Sequence, residues 1–144
     1  MPLCSAAMTP KFDHEKLRVY ELSLTFVSWS TDLIFETTMK AAVKDQLDRA
    51  STSVPLNIAE GNAKWTAADR GKFLKIAMGS TMECATCLDV FVAKRLCERE
   101  RVADGKRMLF EVASMLGGLM RSIDDRIAED APVYGRGEHE QEQE

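Results

Sequence analysis

Histidine is scarce in this sequence, which has only His14 and His139, one near each end of the chain. A di-metal carboxylate site in a helical bundle needs a Glu-x-x-His pair on each of two helices. A Ser/His/Asp or Cys/His catalytic arrangement also needs a histidine, and no glycine-rich phosphate loop is present. We therefore predict a protein that is not an enzyme, with no catalytic residue, metal site, cofactor or small-molecule substrate.

Helix breakers and long apolar runs are also few. The 144 residues include eight glycines and four prolines, with 45% hydrophobic and 29% charged residues. This composition favours one globular, helix-rich domain. No apolar run approaches the roughly 20 residues of a membrane span, and residues 1–10 lack the pattern of a secretion signal. We expect no membrane partner, a cytoplasmic location and reduced thiols.

The four cysteines are Cys4, Cys84, Cys87 and Cys97. Cys84-x-x-Cys87 is followed by Leu88 instead of the histidine of a c-type haem site, and no second C-x-x-C is available for zinc. Both thiols fall on the apolar face of a predicted helix, where free cysteine is usually a small core residue. We predict that they pack in the core, and a thiol redox pair remains the remote alternative.

The net charge of −4 is concentrated at the carboxyl end. One arginine and four glutamates give residues 132–144 a charge of −3, which leaves −1 on the remainder. A near-neutral body does not match the strongly basic composition of many nucleic-acid-binding domains. A local basic stripe remains compatible with it.

Apolar residues recur at steps of three and four in four segments, which predicts four helices. These helices are expected over about 14–35, 39–62, 66–96 and 102–127. Short connections favour an all-α, antiparallel, up-down-up-down four-helix bundle over residues 13–128. A flexible arm over 1–12 and a disordered acidic tail over 129–144 complete the predicted organisation.

Polar residues mark the expected helix ends. Asp13 is the predicted N-cap of the first helix, and the Thr37–Thr38 pair is predicted to cap the second. Thr66 and Asp69 form a T-x-x-D capping pattern for the third. The charged residues 98–101 are expected to hold the turn before the fourth.

Pro55 lies inside the second helical pattern. Proline removes a backbone donor and usually kinks a helix. Ser51, Thr52 and Ser53 precede it, and their hydroxyls can bond the carbonyls that proline frees. We therefore predict one kinked helix.

A turn centred near residues 65–66 sets the levels across the second helical hairpin. Arg49 is then expected opposite Glu83, Ser53 opposite Gly79, and Glu60 opposite Lys72. Glu83 lies in an otherwise small or apolar stripe, where a carboxylate needs a partner. We predict a buried Arg49–Glu83 salt bridge that fixes helix register, and a ligand-binding role is the alternative.

Small residues inside helices suggest close packing, because each glycine costs about 1 kcal/mol relative to alanine there. Gly79 and Ser80 are predicted to let the second helix approach closely beside Pro55. The Gly117–Gly118 pair predicts close packing either within the bundle or between subunits.

Cationic residues surround the second turn. They are Lys64, Arg70, Lys72 and Lys75, with Trp65 among them. Aromatic and cationic side chains together can stack on bases and neutralise phosphates. The pattern favours a solvated helix end on which Trp65 caps the core, and a nucleic-acid contact surface is the alternative.

The stretches QLDRASTSVPLNIAEG (46–61) and FLKIAMGSTMEC (73–84) resemble the signature of a family of bacterial four-helix-bundle proteins. These are encoded in intervening sequences of large-subunit ribosomal RNA genes, and they include accessory variability proteins of diversity-generating retroelements. The signature positions beyond the plain apolar ones are Gln46, Arg49, Ser53, Pro55, Asn57, Glu60, Gly61, Gly79, Ser80 and Glu83. The resemblance implies a four-helix bundle and a ring-like pentamer. The retroelement members bind nucleic acid and a reverse transcriptase through basic surfaces.

The leading hypothesis is a non-enzymatic homo-oligomeric scaffold, a pentamer by resemblance, that binds RNA or an RNA–protein complex. Its partners would be itself and RNA or a nucleic-acid-processing protein. The alternative is a structural or protein-interaction oligomer without nucleic-acid affinity.

Overall fold

The computed structural model describes residues 9–132. A short 3-10 helix over Asp13–Lys16 precedes four α-helices, and this part of the chain contains no strand. The helices are α1 (Arg18–Glu36), α2 (Ala42–Ala63), α3 (Ala67–Ala93) and α4 (Arg99–Asp130). α2 packs most extensively on α3, α3 on α4, and α1 on both α2 and α4. The predicted all-α four-helix bundle is confirmed.

Each helix contributes a stripe of apolar side chains to one core. Its largest fully buried members are Phe26, Leu33, Leu47, Ile58, Leu88, Phe91 and Leu116. Burying each such side chain stabilises the fold by about 1.5–3 kcal/mol. The steps of three and four that predicted the helices are therefore the spacing of the residues that meet in the core.

The first helix begins later than predicted. Leu17 has an extended backbone (φ −78°, ψ 124°) and acts as the N-cap of α1. Asp13 does not cap α1, since it opens the preceding 3-10 helix and pairs with Lys16 at 3.4 Å. The break at Leu17 places this side chain, half-buried, against the core.

Threonine caps were predicted correctly at one helix and incorrectly at another. The Thr66 hydroxyl accepts a hydrogen bond from the Asp69 backbone N–H (3.1 Å), which confirms the cap of α3. Thr37 ends α1 instead of starting α2, because its buried hydroxyl donates to the Leu33 carbonyl (2.8 Å). Ala41 is the N-cap of α2, without a side-chain cap.

α2 runs through Pro55 without a break, so the prediction of a single helix is confirmed. Pro55 has no N–H to donate to the Ser51 carbonyl, and the neighbouring hydroxyls do not donate to that carbonyl either. Ser51 and Thr52 both donate to the Asp48 carbonyl, at 3.0 and 2.9 Å. That predicted role is therefore wrong.

The α3–α4 turn occupies residues 94–98, so of the charged run 98–101 to which it was assigned only Glu98 lies in it, and the rest begins α4. Arg95 adopts a left-handed backbone (φ 60°), and the Leu96 N–H then donates to the Phe91 carbonyl (2.9 Å). This is the geometry by which many α-helices end. α4 continues to Asp130, so residues 129–130, predicted as tail, are helical.

The glycines that were predicted to allow close packing, Gly79, Gly117 and Gly118, do not lie against a neighbouring helix. A Cβ on Gly79 would meet nothing within 4 Å, and one on Gly117 or Gly118 would meet only the Arg121 side chain. The prediction that Gly79 permits close helix approach is wrong, as is close packing of Gly117–Gly118 within the bundle. Gly105 does lie close to its neighbour, since a Cβ there would be 2.3 Å from two Trp29 ring atoms.

By length and composition alone, α3 could cross a membrane. In the bundle it packs between α2 and α4 and buries residues such as Ala77, Leu88 and Phe91. The core helix of a bundle can match a membrane-spanning helix in length and composition, so these two properties alone are weak evidence for a membrane span.

Candidate functional site

The turn between α2 and α3 is tight because Gly61 lies against the start of α3. A Cβ at Gly61 would be 3.0 Å from the Phe73 Cβ and 3.3 Å from the Arg70 carbonyl oxygen. Glycine is therefore needed at this signature position for close approach. This fixes where the cationic residues of the turn are displayed.

Lys64 and Arg70 form the base of the turn. The Lys64 Nζ lies 3.0 Å from the Glu60 carboxylate and 5.0 Å from the centre of the Phe73 ring. The Arg70 Nε donates to the Lys64 carbonyl (2.7 Å), which closes the turn across six residues. Both side chains are half-buried, so the structure holds them in place.

Trp65 projects into solvent, with 98% of its surface exposed. The prediction that it caps the core is wrong. An indole this exposed gains nothing from core packing, and both faces of its ring are free to contact a partner.

The positive charge of the turn is partly neutralised. Lys72 pairs with Asp69 at 3.6 Å, as Lys64 does with Glu60. Lys75 is exposed, and it forms no salt bridge within residues 9–132. We call Lys64, Trp65, Arg70, Lys72 and Lys75 the turn surface. Together with the carboxylates of Glu60 and Asp69, the turn surface carries four cations and two anions.

A second surface lies on the outer side of the α2–α3 pair. Arg49 and Glu83 are both exposed and form no salt bridge with each other. The predicted buried bridge is therefore wrong. The predicted levels across the α2–α3 hairpin were nearly right. The Ser53 hydroxyl forms a hydrogen bond with the Ser80 hydroxyl (2.8 Å), one residue from Gly79, which was expected opposite Ser53. The error lies in which stripe of α3 faces the core.

One hydrogen bond between side chains forms the polar contact between α2 and α3, and Asn57 of α2 supports it. Besides the Ser53–Ser80 hydrogen bond, the Asn57 amide donates to the Ser53 carbonyl (2.8 Å) and hydroxyl (3.0 Å). No side-chain polar atom buried in the described residues lacks a partner. The signature residues Ser53 and Ser80 thus join the two helices, and Asn57 holds the Ser53 hydroxyl from within α2.

Outside this contact, apolar side chains reach the solvent. Leu56 is 63%, Ile76 50% and Met82 51% exposed. Helical spacing places Leu56 on the same side of α2 as Arg49, and Ile76 on the same side of α3 as Gly79 and Glu83. We call these residues the α2–α3 face: Arg49, Leu56, Ile76, Gly79 and Glu83.

The thiols Cys84 and Cys87 are buried and free, which confirms their prediction as core residues. Burial raises the pKa of Cys84 to about 12, with smaller contributions from Cys87 and Glu83. Burial also raises the pKa of Cys87 above its ordinary value. Since the thiolate is the reactive form, this environment disfavours thiol redox chemistry.

Sequence reasoning missed a cluster that joins α1 to α4. The Arg101 Nε and one terminal nitrogen donate to the two Glu36 oxygens (2.8 and 2.9 Å). The Arg101 guanidinium also lies 5.2 Å from the Trp29 ring centre. The hydrogen bond to Arg101 lowers the pKa of Glu36. These residues are too distant in sequence for a local pattern to pair them.

Residues 9–132 contain no group of three or more His, Cys, Asp or Glu side chains placed to hold a metal ion. The two candidate surfaces consist mainly of cationic, aromatic and aliphatic side chains, and Glu83 is the carboxylate among their named residues. Their chemistry is suited to binding.

The family model described as "23S rRNA-intervening sequence protein" matches residues 15–118. A solved structure from Bacteroides thetaiotaomicron, described as a protein with unknown function from the S23 ribosomal protein family, has the same fold. It superposes with a TM-score of 0.68 at 22% identity, over 72% of this chain and 98% of that one. No curated protein matches. From the family match over most of its length, this chain belongs to the 23S rRNA-intervening sequence protein family.

Proposed function

We propose that the protein is a non-enzymatic homo-oligomeric scaffold that binds RNA, alone or in an RNA–protein complex, through the turn surface. The observation that carries the proposal is Trp65, 98% exposed and set among Lys64, Arg70, Lys72 and Lys75. The name of its family, which refers to ribosomal RNA, agrees with an RNA partner.

The turn surface is suited to unpaired nucleotides. An aromatic ring that stacks on a base contributes about 1–3 kcal/mol, largely independent of sequence. Trp65 supplies such a ring, and the nearby cations can contact phosphates on either side of the stacked base. Lys64 and Lys72 are already paired with carboxylates, which leaves Arg70 and Lys75, so we expect about two phosphate contacts and moderate affinity.

Fluorescence anisotropy of a labelled RNA hairpin with an unpaired loop tests this proposal. With about two phosphate contacts, affinity should fall about 7- to 12-fold from about 50 to about 200 mM salt, through counterion release. Trp65→Ala should weaken binding about tenfold through lost stacking. Lys75→Gln should make the salt dependence shallower.

Two controls carry equivalent changes away from the turn. Phe110→Ala removes another exposed aromatic ring, 75% exposed on α4. Lys40→Gln removes a cation beside the opposite end of α2. Neither should change affinity by more than about twofold. If the wild-type protein does not bind at the lower salt, or Trp65→Ala binds equally well, the turn surface is not an RNA site.

The second candidate function is a structural or protein-interaction oligomer without affinity for nucleic acid. The exposed aliphatic side chains of the α2–α3 face favour it, because contiguous apolar surface usually marks an interface. Sedimentation velocity would give the particle mass against 16.1 kDa for one chain. A multimer that fails to bind RNA would select this candidate.

A further inference from the structure

A cavity of about 160 Å³ lies at the end of the bundle that carries the α2–α3 turn. Its walls come from α2, α3, α4 and the residue before α1. They are formed mainly by Leu17, Ile58, Leu74, Leu119 and Ile123. The cavity is partly open to solvent, and its lining is mainly apolar with a few polar side chains, as is typical of small-molecule binding sites.

The polar part of the cavity lining is cationic. It contains Arg70 and Arg126 together with Asn62 and Ser122, and no carboxylate lines it. The Nε of Arg70 is fixed by the Lys64 carbonyl, which leaves its terminal nitrogens without a hydrogen bond in the described residues. Arg126 forms no salt bridge within 9–132. Two guanidinium groups thus adjoin one apolar space.

We propose that this cavity binds a small carboxylate whose apolar body is a single ring or a short acyl chain. An apolar cavity of about 150 Å³ accommodates a benzene ring, which sets the size of the body. The carboxylate lies at Arg70 and Arg126, where guanidinium N–H groups match its two oxygens. This site is distinct from the turn surface in its ligand, although Arg70 belongs to both, and it does not depend on RNA binding.

Isothermal titration of the full chain with phenylacetate tests the proposal. We expect one site per chain. Acetate, which lacks the body, and phenylacetamide, which lacks the charge, should each bind at least about tenfold more weakly, because each omits one half of the recognition. Hexanoate, with a short acyl body, should bind comparably to phenylacetate.

Arginine variants on α4 distinguish binding in the cavity from a general effect of positive charge on that helix. Arg126→Gln should weaken phenylacetate binding about tenfold through loss of a charge-assisted hydrogen bond. Arg121→Gln is the matched control, since it removes the same charge from the same helix outside the cavity lining. That control should bind within about twofold of the wild type.

A cavity-filling variant tests the apolar half. Leu119→Phe enlarges a half-buried wall residue and should abolish phenylacetate binding, with circular dichroism confirming that the bundle still forms. The proposal is overturned if phenylacetate does not bind by about 10 mM, a weak limit for a ligand of this size. It is also overturned if Arg126→Gln and Leu119→Phe both bind as the wild type does.

Discussion

Cys84 shows at the scale of one residue how burial changes side-chain chemistry. Its side chain is fully buried on α3, and its pKa is raised from 9.0 to about 12. At pH 8 the thiol is neutral in both the folded and the unfolded chain. Above pH 9 the unfolded thiol ionises, whereas the folded one retains its proton. The unfolded state then binds fewer protons, so stability falls as pH rises.

We predict that Cys84 makes the free energy of unfolding decrease between pH 9 and about 12, by up to about 1.4 kcal/mol per pH unit. Urea unfolding from about pH 8 to about pH 10.5 measures this decrease, which Cys84→Ala should reduce. Thr81→Ala is the control, because Thr81 is equally buried on α3 but does not ionise in this range. Equal pH dependence in wild type and Cys84→Ala would contradict the prediction.

Residue exposure was only partly predictable from hydrophobicity. Cys84 and Cys87 lie in the core as their positions indicated, whereas Leu24 of α1 and Ile127 of α4, apolar residues of their helical patterns, are 43% and 42% exposed. Trp65 and Glu83 were both predicted to be buried, and the two predictions were wrong for different reasons. Trp65 is apolar but stands beyond the end of the helices it was expected to cover. Glu83 was assigned to a stripe through Ile76 that faces outward, while the stripe through Ala77 and Cys84 faces the core.

At the scale of an element, the internal glycines of α3 and α4 are in different surroundings. Gly79 faces open space, whereas a Cβ on Gly105 would overlap the Trp29 ring. That ring is confined, because it stacks on Phe26 (5.6 Å between centroids) and lies under Arg101. The same substitution should therefore have opposite effects at the two positions.

We predict that Gly79→Ala stabilises the protomer by about 0.5–1 kcal/mol, the usual gain in helix propensity. Gly105→Ala should destabilise it by about 1–3 kcal/mol, because displacing Trp29 outweighs that gain. Urea unfolding of the two variants measures both effects. A stabilising Gly105→Ala would show that the Trp29 ring moves aside at little cost.

Helix ends were predictable where a local side chain makes the cap. Thr66 bonds the backbone three residues ahead, as its T-x-x-D pattern indicated. The starts of α1 and α2 were not predictable this way, because Leu17 and Ala41 cap through backbone shape without a side-chain bond. Their positions depend on tertiary packing, which local residues do not encode.

At the scale of the whole molecule, the α2–α3 face is where we propose that copies of the chain associate. Its aliphatic side chains are exposed, and Arg49 and Glu83 form no salt bridge within residues 9–132. Opposite charges at one level of a hairpin can pair across a boundary between copies.

We predict that Arg49→Glu and Glu83→Arg each weaken self-association, because each places like charges together. The double variant should restore it if the two residues pair across copies. Sedimentation velocity measures the assembled mass. Each single variant should change the stability of the isolated protomer by less than about 0.5 kcal/mol, as expected for exposed positions. Unchanged mass in both single variants would place the interface elsewhere.

The bundle itself was predictable, because the apolar periodicity, the scarcity of helix breakers and the short connections all indicate four packed helices. The outward surfaces were not, because no periodic pattern fixes the rotation of a helix when both of its faces carry small or apolar residues. α3 has buried Ala77 and exposed Ile76 side by side, so hydrophobicity could not separate core from surface there. The cavity beside Arg126 also depends on how three helices and the residue before α1 pack together at one end.

The up-and-down order of the helices also bears on how the chain folds. α2 with α3 and α3 with α4 are neighbours in sequence, so these pairs close short loops, which generally favours rapid folding. The α1–α4 contact closes the longest loop in the bundle. Trp29 on α1 lies at that contact, against Gly105 and Arg101 of α4. Its intrinsic fluorescence would therefore report when the first and last helices meet, a kinetic event that the solvent-exposed Trp65 would not register.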